Sequence, residues 1–251
     1  MTAMIYPTTN PSLAEQMVVA RAEGPYIYDK QGKRYLEGMA GLWCTALGYG
    51  NEEIIEVAER QMRELSFSHM FGGKTHASAI ELADKLAALV PMQDGRVFLG
   101  NSGSDANDTL LKLIRYHAEA SGQPNRIKVI AREQGYHGVT LASAALTAIP
   151  TNHAHFQLPF EALGVLRTGS ANYYRGAHEG ESEAAFVARR AEELEALILV
   201  EGPDTIAAMI AEPVSGAGGV IVPPAGYFEA IQTVLDRYGI WLWDDEVICG
   251  F

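Results

Sequence analysis

Apolar residues first recur at helical spacing at Ile54, Ala58, Met62 and Leu65. They recur again at Ile80, Ala83, Leu86 and Leu89, and Pro91 predicts the stop of this second helix. Ahead of both, Tyr26-Ile-Tyr-Asp29 and Arg34-Tyr-Leu-Glu37 flank Lys30-Gln-Gly-Lys33, which predicts a short hairpin with Gly32 in its turn. From Arg96 the period changes. Residues 97–99 predict a short strand. Residues 104–120 predict a helix with Leu110, Leu113, Ile114 and His117 on one face and Gly122 as its stop. Strands at 127–131, 206–211 and 240–243 then alternate with helices at 140–146, 183–200 and 227–238, the last with Phe228, Ile231, Leu235 and Tyr238 on one face. This order predicts an α/β fold with a mostly parallel sheet. Residues 147–180 show no period and predict one long functional loop.

In such sheets ligands collect beyond the carboxyl ends of strands. Ser102-Gly-Ser104, Glu212 and Asp244-Asp-Glu246 all fall at predicted strand ends, so a small-molecule site is expected there.

Composition narrows the partners. A chain of 251 residues, 48% hydrophobic and 20% charged, holds a core of one large domain, or of one domain with a small appendage. The longest apolar stretch, residues 206–211, falls far short of the roughly 20 residues that span a bilayer. A net charge of -12 argues against nucleic acid and anionic membranes, although backbone amides still bind a phosphate locally. The first residues lack a cationic start followed by an apolar core, and the two cysteines, Cys44 and Cys249, read as isolated thiols. A cytoplasmic chain is expected.

Several segments carry candidate chemistry, and each also has a plain structural reading. In Asn101-Ser-Gly-Ser-Asp105, Gly103 lets the backbone approach a ligand and Ser104 offers a hydroxyl and an amide at a helix start, which suits phosphate; the segment also reads as an ordinary N-cap. In Gln134-Gly-Tyr-His-Gly138, Tyr136 offers a face for a planar group and His137 a polar contact; a loop aromatic at the domain edge is the alternative. Trp243-Asp-Asp-Glu-Val247 puts carboxylates at the end of an apolar strand, where they need a partner or water. Glu212-Pro213, Gly216-Ala-Gly-Gly219 and Pro223-Pro-Ala-Gly226 say only that the backbone turns sharply. Trp43 reads equally as a pocket wall or as core. Other motifs fail. Ser68 stands where a phosphate loop ending at Lys74-Thr75 needs its first glycine. Ile221 replaces the third glycine of a dinucleotide fingerprint. Ser104 replaces the last glycine of a nucleophile elbow, and no histidine follows Asp245 to complete a hydrolase. No histidine–cysteine spacing suits zinc, and none is assigned.

Taken in order, Met39-Ala-Gly-Leu-Trp-Cys44, Asn101-Ser-Gly-Ser-Asp-Ala106, Gly135-Tyr-His-Gly138, Glu212-Pro213 with Gly216–Gly219, Pro223-Pro-x-Gly-Tyr227 and Asp245-Glu-Val-x-x-Gly-Phe251 resemble the class III, fold-type I, pyridoxal-phosphate aminotransferases, nearest to omega-amino acid or amine:pyruvate transaminases. The resemblance implies the large domain of that fold over residues 66–251, incomplete at its C-terminus, and a part of the small domain over residues 1–65. It implies pyridoxal 5'-phosphate as cofactor, small amine and keto-acid substrates, and a homodimer or a dimer of dimers. By the same resemblance Gly103 and Ser104 bind the phosphate, Tyr136 stacks on the ring with His137 beside it, and Asp245 pairs with the ring nitrogen. Val247 packs under the ring, Glu212 stands near the cofactor, and Trp43 and Phe71 line the substrate pocket. Asp105 stands where the family usually has Glu. The family's Schiff-base lysine follows the acidic motif by a few dozen residues, and none of the six lysines here follows Asp245. On this reading the chain is a truncated form, inactive by itself, of an enzyme that moves an amino group from an amine or omega-amino acid to a keto acid. A non-catalytic assembly module of the same fold, and aminomutase or racemase chemistry, are the alternatives.

Overall fold

The computed structural model describes residues 3–7, 9, 10, 12 and 16–250. The chain divides between Val97 and Phe98 into two compact units.

In the first unit, strands β1 (Val19–Glu23), β2 (Tyr26–Asp29) and β3 (Arg34–Leu36) form an antiparallel sheet. The predicted hairpin is β2–β3. Gly32 turns it at φ +82°, a value that costs a residue without Cβ nothing. β1, which the sequence pattern does not predict, adds to its free edge. A one-turn segment, α1 (Ala40–Trp43), follows in left-handed backbone throughout, with φ between +47° and +65°. Helix α2 (Glu52–Glu64) starts where Asn51 Oδ1 accepts the Ile54 amide at 3.2 Å. Helix α3 (Ala77–Leu89) starts on His76 Nδ1 and ends before Pro91, as predicted. The predicted strand at 97–99 does not form. Among the described residues no neighbour offers it a ladder, and Phe98 is 69% exposed.

The second unit is a four-stranded parallel sheet in the order β5-β4-β6-β7, made of β4 (Lys128–Arg132), β5 (Val165–Thr168), β6 (Ile206–Ala211) and β7 (Trp241–Asp244). Its helices are α4 (Gly103–Ala120), α5 (Leu141–Leu146), α6 (Phe160–Leu163), α7 (Tyr173–Gly176), α8 (Glu183–Glu201) and α9 (Tyr227–Arg237). One face of the sheet packs Ile130, Ile206 and Met209 against Leu194 and Ile198 of α8 and Ile231 and Leu235 of α9. The other packs Val129, Ala208 and Ile210 against Leu111 and Ile114 of α4 and Leu146 of α5. Covered on both faces, β6 is buried at all six residues, which is why it reads as an unbroken apolar run.

Two predictions are corrected here. The region 147–180 is not one loop but holds α6, β5 and α7. β5 is only Val-Leu-Arg-Thr at the sheet edge, too short and too mixed to show a period. The inward face of α4 is Asn107, Leu111, Ile114 and Ala118, whereas Leu110, Leu113 and His117 face outward. Counting apolar bulk missed it because a small alanine and an amide sit in the buried stripe.

Loop and helix are joined at α8 by Arg189. Its guanidinium binds Glu181 at 2.7 Å and the Gly176 carbonyl at 2.9 Å. The Arg189 hydrogen bond outweighs burial and, with the His178 amide, holds the Glu181 carboxyl down at about 2. The folded-state value lies below the ordinary one, so this contribution to stability is present at neutral pH. It disappears as pH falls from about 4.5 toward 2. Glu181→Gln is therefore expected to lower the urea midpoint at pH 7 and to match the wild type near pH 2. A difference that persists in acid would contradict the ion pair.

Candidate active site

From the central β4 the chain goes first to β5 on one side and later crosses to β6 on the other. Strand order therefore reverses between β4 and β6, and in such sheets ligands bind beyond the carboxyl ends of the strands at such a reversal. β4 ends in Arg132 and the turn beyond it runs to Gly138, the turn from β6 carries Glu212, and that from β7 carries Asp245.

The start of α4 faces the same region. Ser102 is extended, and its hydroxyl and carbonyl oxygens accept the amides of Asp105 (3.1 Å) and Ala106 (2.9 Å). Among the described residues the Gly103 and Ser104 amides have no protein acceptor, and they stand at the positive end of an 18-residue helix. A Cβ on Gly103 would lie 2.7 Å from Cγ2 of Val247, so glycine is what lets Val247 lie against the helix start. Ser104 Oγ accepts the Val139 amide at 3.0 Å.

Asp245 is buried, and its amide continues the ladder to the Ala211 carbonyl at 2.8 Å. Its Oδ2 faces His137 Nδ1 at 2.8 Å and accepts from Asn107 Nδ2 at 3.0 Å, while Oδ1 accepts the Val247 amide at 3.3 Å. Burial pushes this carboxyl up, but His137, Asn107 and the Val247 amide outweigh it. The group stays below the ordinary carboxylate value, ionised at neutral pH. Asn107 also donates to the His137 carbonyl at 2.7 Å, and the His137 amide donates to Thr147 Oγ1 at 2.8 Å. His137 is thus fixed at both ends, with Nε2 buried and unpartnered among the described residues. The flanking acids differ. Asp244 and Glu246 reach the surface, but partial desolvation of the Asp244 carboxyl, its hydrogen bond to Glu246 and the Glu246 and Asp245 charges, opposed by Arg132, push Asp244 up to about 6.

Glu212, also buried, clamps two loops. Its Oε1 accepts the Tyr136 amide at 3.0 Å and Oε2 the Gly216 amide at 3.1 Å. Gly216 and Gly218 have a packing reason that spacing alone did not disclose. A Cβ on Gly216 would meet the Ile248 side chain, and one on Gly218 would strike the Gln134 carbonyl oxygen. Gly218→Ala is expected to cost about 1–3 kcal/mol, because backbone must move. A thermal midpoint equal to the wild type would show that the loop retreats freely.

The structure thus brings Gly103, Ser104, Tyr136, His137, Glu212, Asp245 and Val247 into one unit, at the ends of the parallel strands and the start of α4. Trp43 and Phe71 belong to the first unit, where both are exposed. Phe251, the last residue of the acidic motif, lies outside the described residues. Sequence reasoning missed Asn107, Thr147 and Arg132. For Asn107 a signal existed: it occupies the i, i+4, i+7, i+11 stripe with Leu111, Ile114 and Ala118, a polar residue where the helix faces the core. Among the described residues no cluster of His, Cys, Asp and Glu could hold a metal ion.

Known proteins are similar to this chain over most of its length. A probable gamma-aminobutyrate transaminase 2, mitochondrial, of Oryza sativa subsp. indica is 48% identical over 238 residues, 94% of this chain and 48% of that protein. Gamma aminobutyrate transaminase 3, chloroplastic, of Solanum lycopersicum is 48% identical over 94% of this chain and 45% of its own length. The chain spans about half the length of these curated relatives. Among solved structures, the omega transaminase from Pseudomonas jessenii in complex with PMP superimposes with a TM-score of 0.95 at 49% identity, over 99% of this chain and 55% of that one. A transaminase with L-ala gives 0.90 at 51% identity, over 94% and 55%. The sequence model described as Aminotransferase class-III matches residues 8–251, and the chain belongs to that family.

Proposed function

We propose that this chain is the cofactor-holding part of a transaminase that carries an amino group from an amine or omega-amino acid to a keto acid such as pyruvate, using pyridoxal 5'-phosphate. The observation that carries the reading is Asp245: a buried carboxylate kept ionised by His137 and Asn107 at the strand-order reversal. The donor set suits this cofactor. The unpartnered amides of Gly103 and Ser104 at the positive end of α4 suit a phosphate dianion, and the Asp245 charge suits a protonated ring nitrogen. When bound, the cofactor supplies the electron sink for the bond broken beside the amino nitrogen. Asp245 then holds the proton on the ring nitrogen, and His137 and Asn107 keep Asp245 charged and oriented. Tyr136, tethered through Glu212, and Val247, lodged against Gly103, would hold the ring plane. Trp43 and Phe71 are the residues we assign to the substrate, and the enzyme is a homodimer or a dimer of dimers in the cytoplasm.

The choice of substrates rests on the relatives. Two are named for gamma-aminobutyrate, an omega-amino acid, and one structure holds L-alanine, the amino form of pyruvate. The test is an enzyme containing this chain, supplied with pyridoxal phosphate, gamma-aminobutyrate and pyruvate. Alanine is expected to accumulate, and its formation is expected to stop when pyruvate is withheld. Conversion of the amine without any keto acid would replace transfer by isomerisation, and no conversion with either would overturn the reading.

A further inference from the structure

We propose that Asp108 is a positioning residue that presets the Ser104 hydroxyl to donate to a phosphate oxygen; the inference rests on the cofactor reading above. Asp108 lies one turn beyond Ser104 on α4, and its Oδ1 collects donors from the segment that follows Gly138. Thr140 Oγ1 donates to it at 2.7 Å, and the Ser143 amide at 3.1 Å. Ser143 shares its single hydroxyl proton between Asp108 Oδ1 at 2.8 Å and the Ser104 carbonyl at 3.0 Å. One carboxylate oxygen therefore pins this segment onto the start of the helix.

The consequence falls on Ser104. With the segment pinned, the Val139 amide donates to Ser104 Oγ at 3.0 Å. A hydroxyl oxygen that accepts from an amide keeps its own proton for another acceptor. Gly138 allows this approach. Its φ is +131°, and a Cβ there would strike Ser104 Oγ and come within 2.8 Å of Ser143 Cβ. The Asp108 carboxylate makes no hydrogen bond to Asp245, His137 or Asn107, so its effect is on the phosphate and not on the ring.

That separation makes the inference testable by binding alone. The full chain, as wild type, Asp108→Leu, Asp108→Asn and Thr140→Val, is titrated with pyridoxal phosphate and with pyridoxal, and binding is followed by tryptophan fluorescence. Asp108→Leu is expected to weaken pyridoxal phosphate about tenfold, the loss of one oriented hydrogen bond to a charged group, and to leave pyridoxal unchanged. Asp108→Asn keeps an acceptor oxygen and is expected to restore most of the preference. Thr140→Val, which removes one donor and folds even if Asp108→Leu does not, is expected to show a smaller loss confined to the phosphorylated ligand. Equal weakening of both ligands, or no change in any variant, overturns the role of Asp108. A wild type that binds neither ligand overturns the cofactor reading, and this inference with it.

Discussion

Asp245→Asn is expected to lower amino transfer by on the order of 10²–10³-fold in an enzyme containing this chain, with a much smaller loss of cofactor affinity. The asparagine keeps the shape and one acceptor oxygen but removes the charge that stabilises a proton on the ring nitrogen. In a titration of the bound cofactor by absorbance, the ring nitrogen is expected to lose its proton at a lower pH than in the wild type. A rate within a few-fold of wild type would mean that the carboxylate is only structural. Stability gives a second, independent readout. Asp245→Ala leaves His137 and Asn107 facing nothing in a buried site, at about 3–5 kcal/mol at neutral pH. Because the folded-state value of Asp245 lies below the ordinary carboxylate value, that difference is full above pH ~4 and shrinks as the pH falls through the folded-state value. A gap that is constant with pH would show that the loss comes from packing alone.

The second large effect is expected at Arg132. It is 1% exposed, and among the described residues no carboxylate is bound to it. Its Nη2 donates to the Glu212 carbonyl and, at 3.2 Å, to Ser215 Oγ, and the guanidinium carbon stands 5.7 and 5.6 Å from the ring centres of Tyr227 and Phe228. Arg132→Ala empties the space of the largest wholly buried side chain among the described residues and orphans a buried carbonyl. A loss of about 3 kcal/mol follows, or about 10 °C in thermal midpoint for a unit of this size. Arg132→Met, which fills most of the space, is expected to recover about half of it. If both variants melt with the wild type, the desolvation of the cation has cancelled everything it contributes.

How much of this was legible in the sequence depended on how local its cause is. β6 and α8 were read almost to the residue, because one is buried on both faces and the other is set by a Ser182 cap and a Gly202 stop. The β2–β3 hairpin was read from its Gly32 turn. What failed depended on neighbours distant in sequence. Residues 97–99 have strand composition but no ladder partner among the described residues. β5 is a strand because Ile130 and its neighbours pair with it. The chemistry-bearing turns were legible as types, whereas the residues that orient them were not. Asn107 and Asp108 act across 138 and 35 positions of sequence, and no periodicity reports such a bond.

The central strand has a consequence for synthesis. Ile130 pairs with Met209, so β4 waits for nearly eighty further residues before its second neighbour exists. At a ribosomal rate of roughly 5–20 residues per second, the second edge of β4 stays unpaired for several seconds before β6 emerges to pair with it. Parallel pairing over such separations is intrinsically slow, and an unpaired strand edge is meanwhile open to association with other chains.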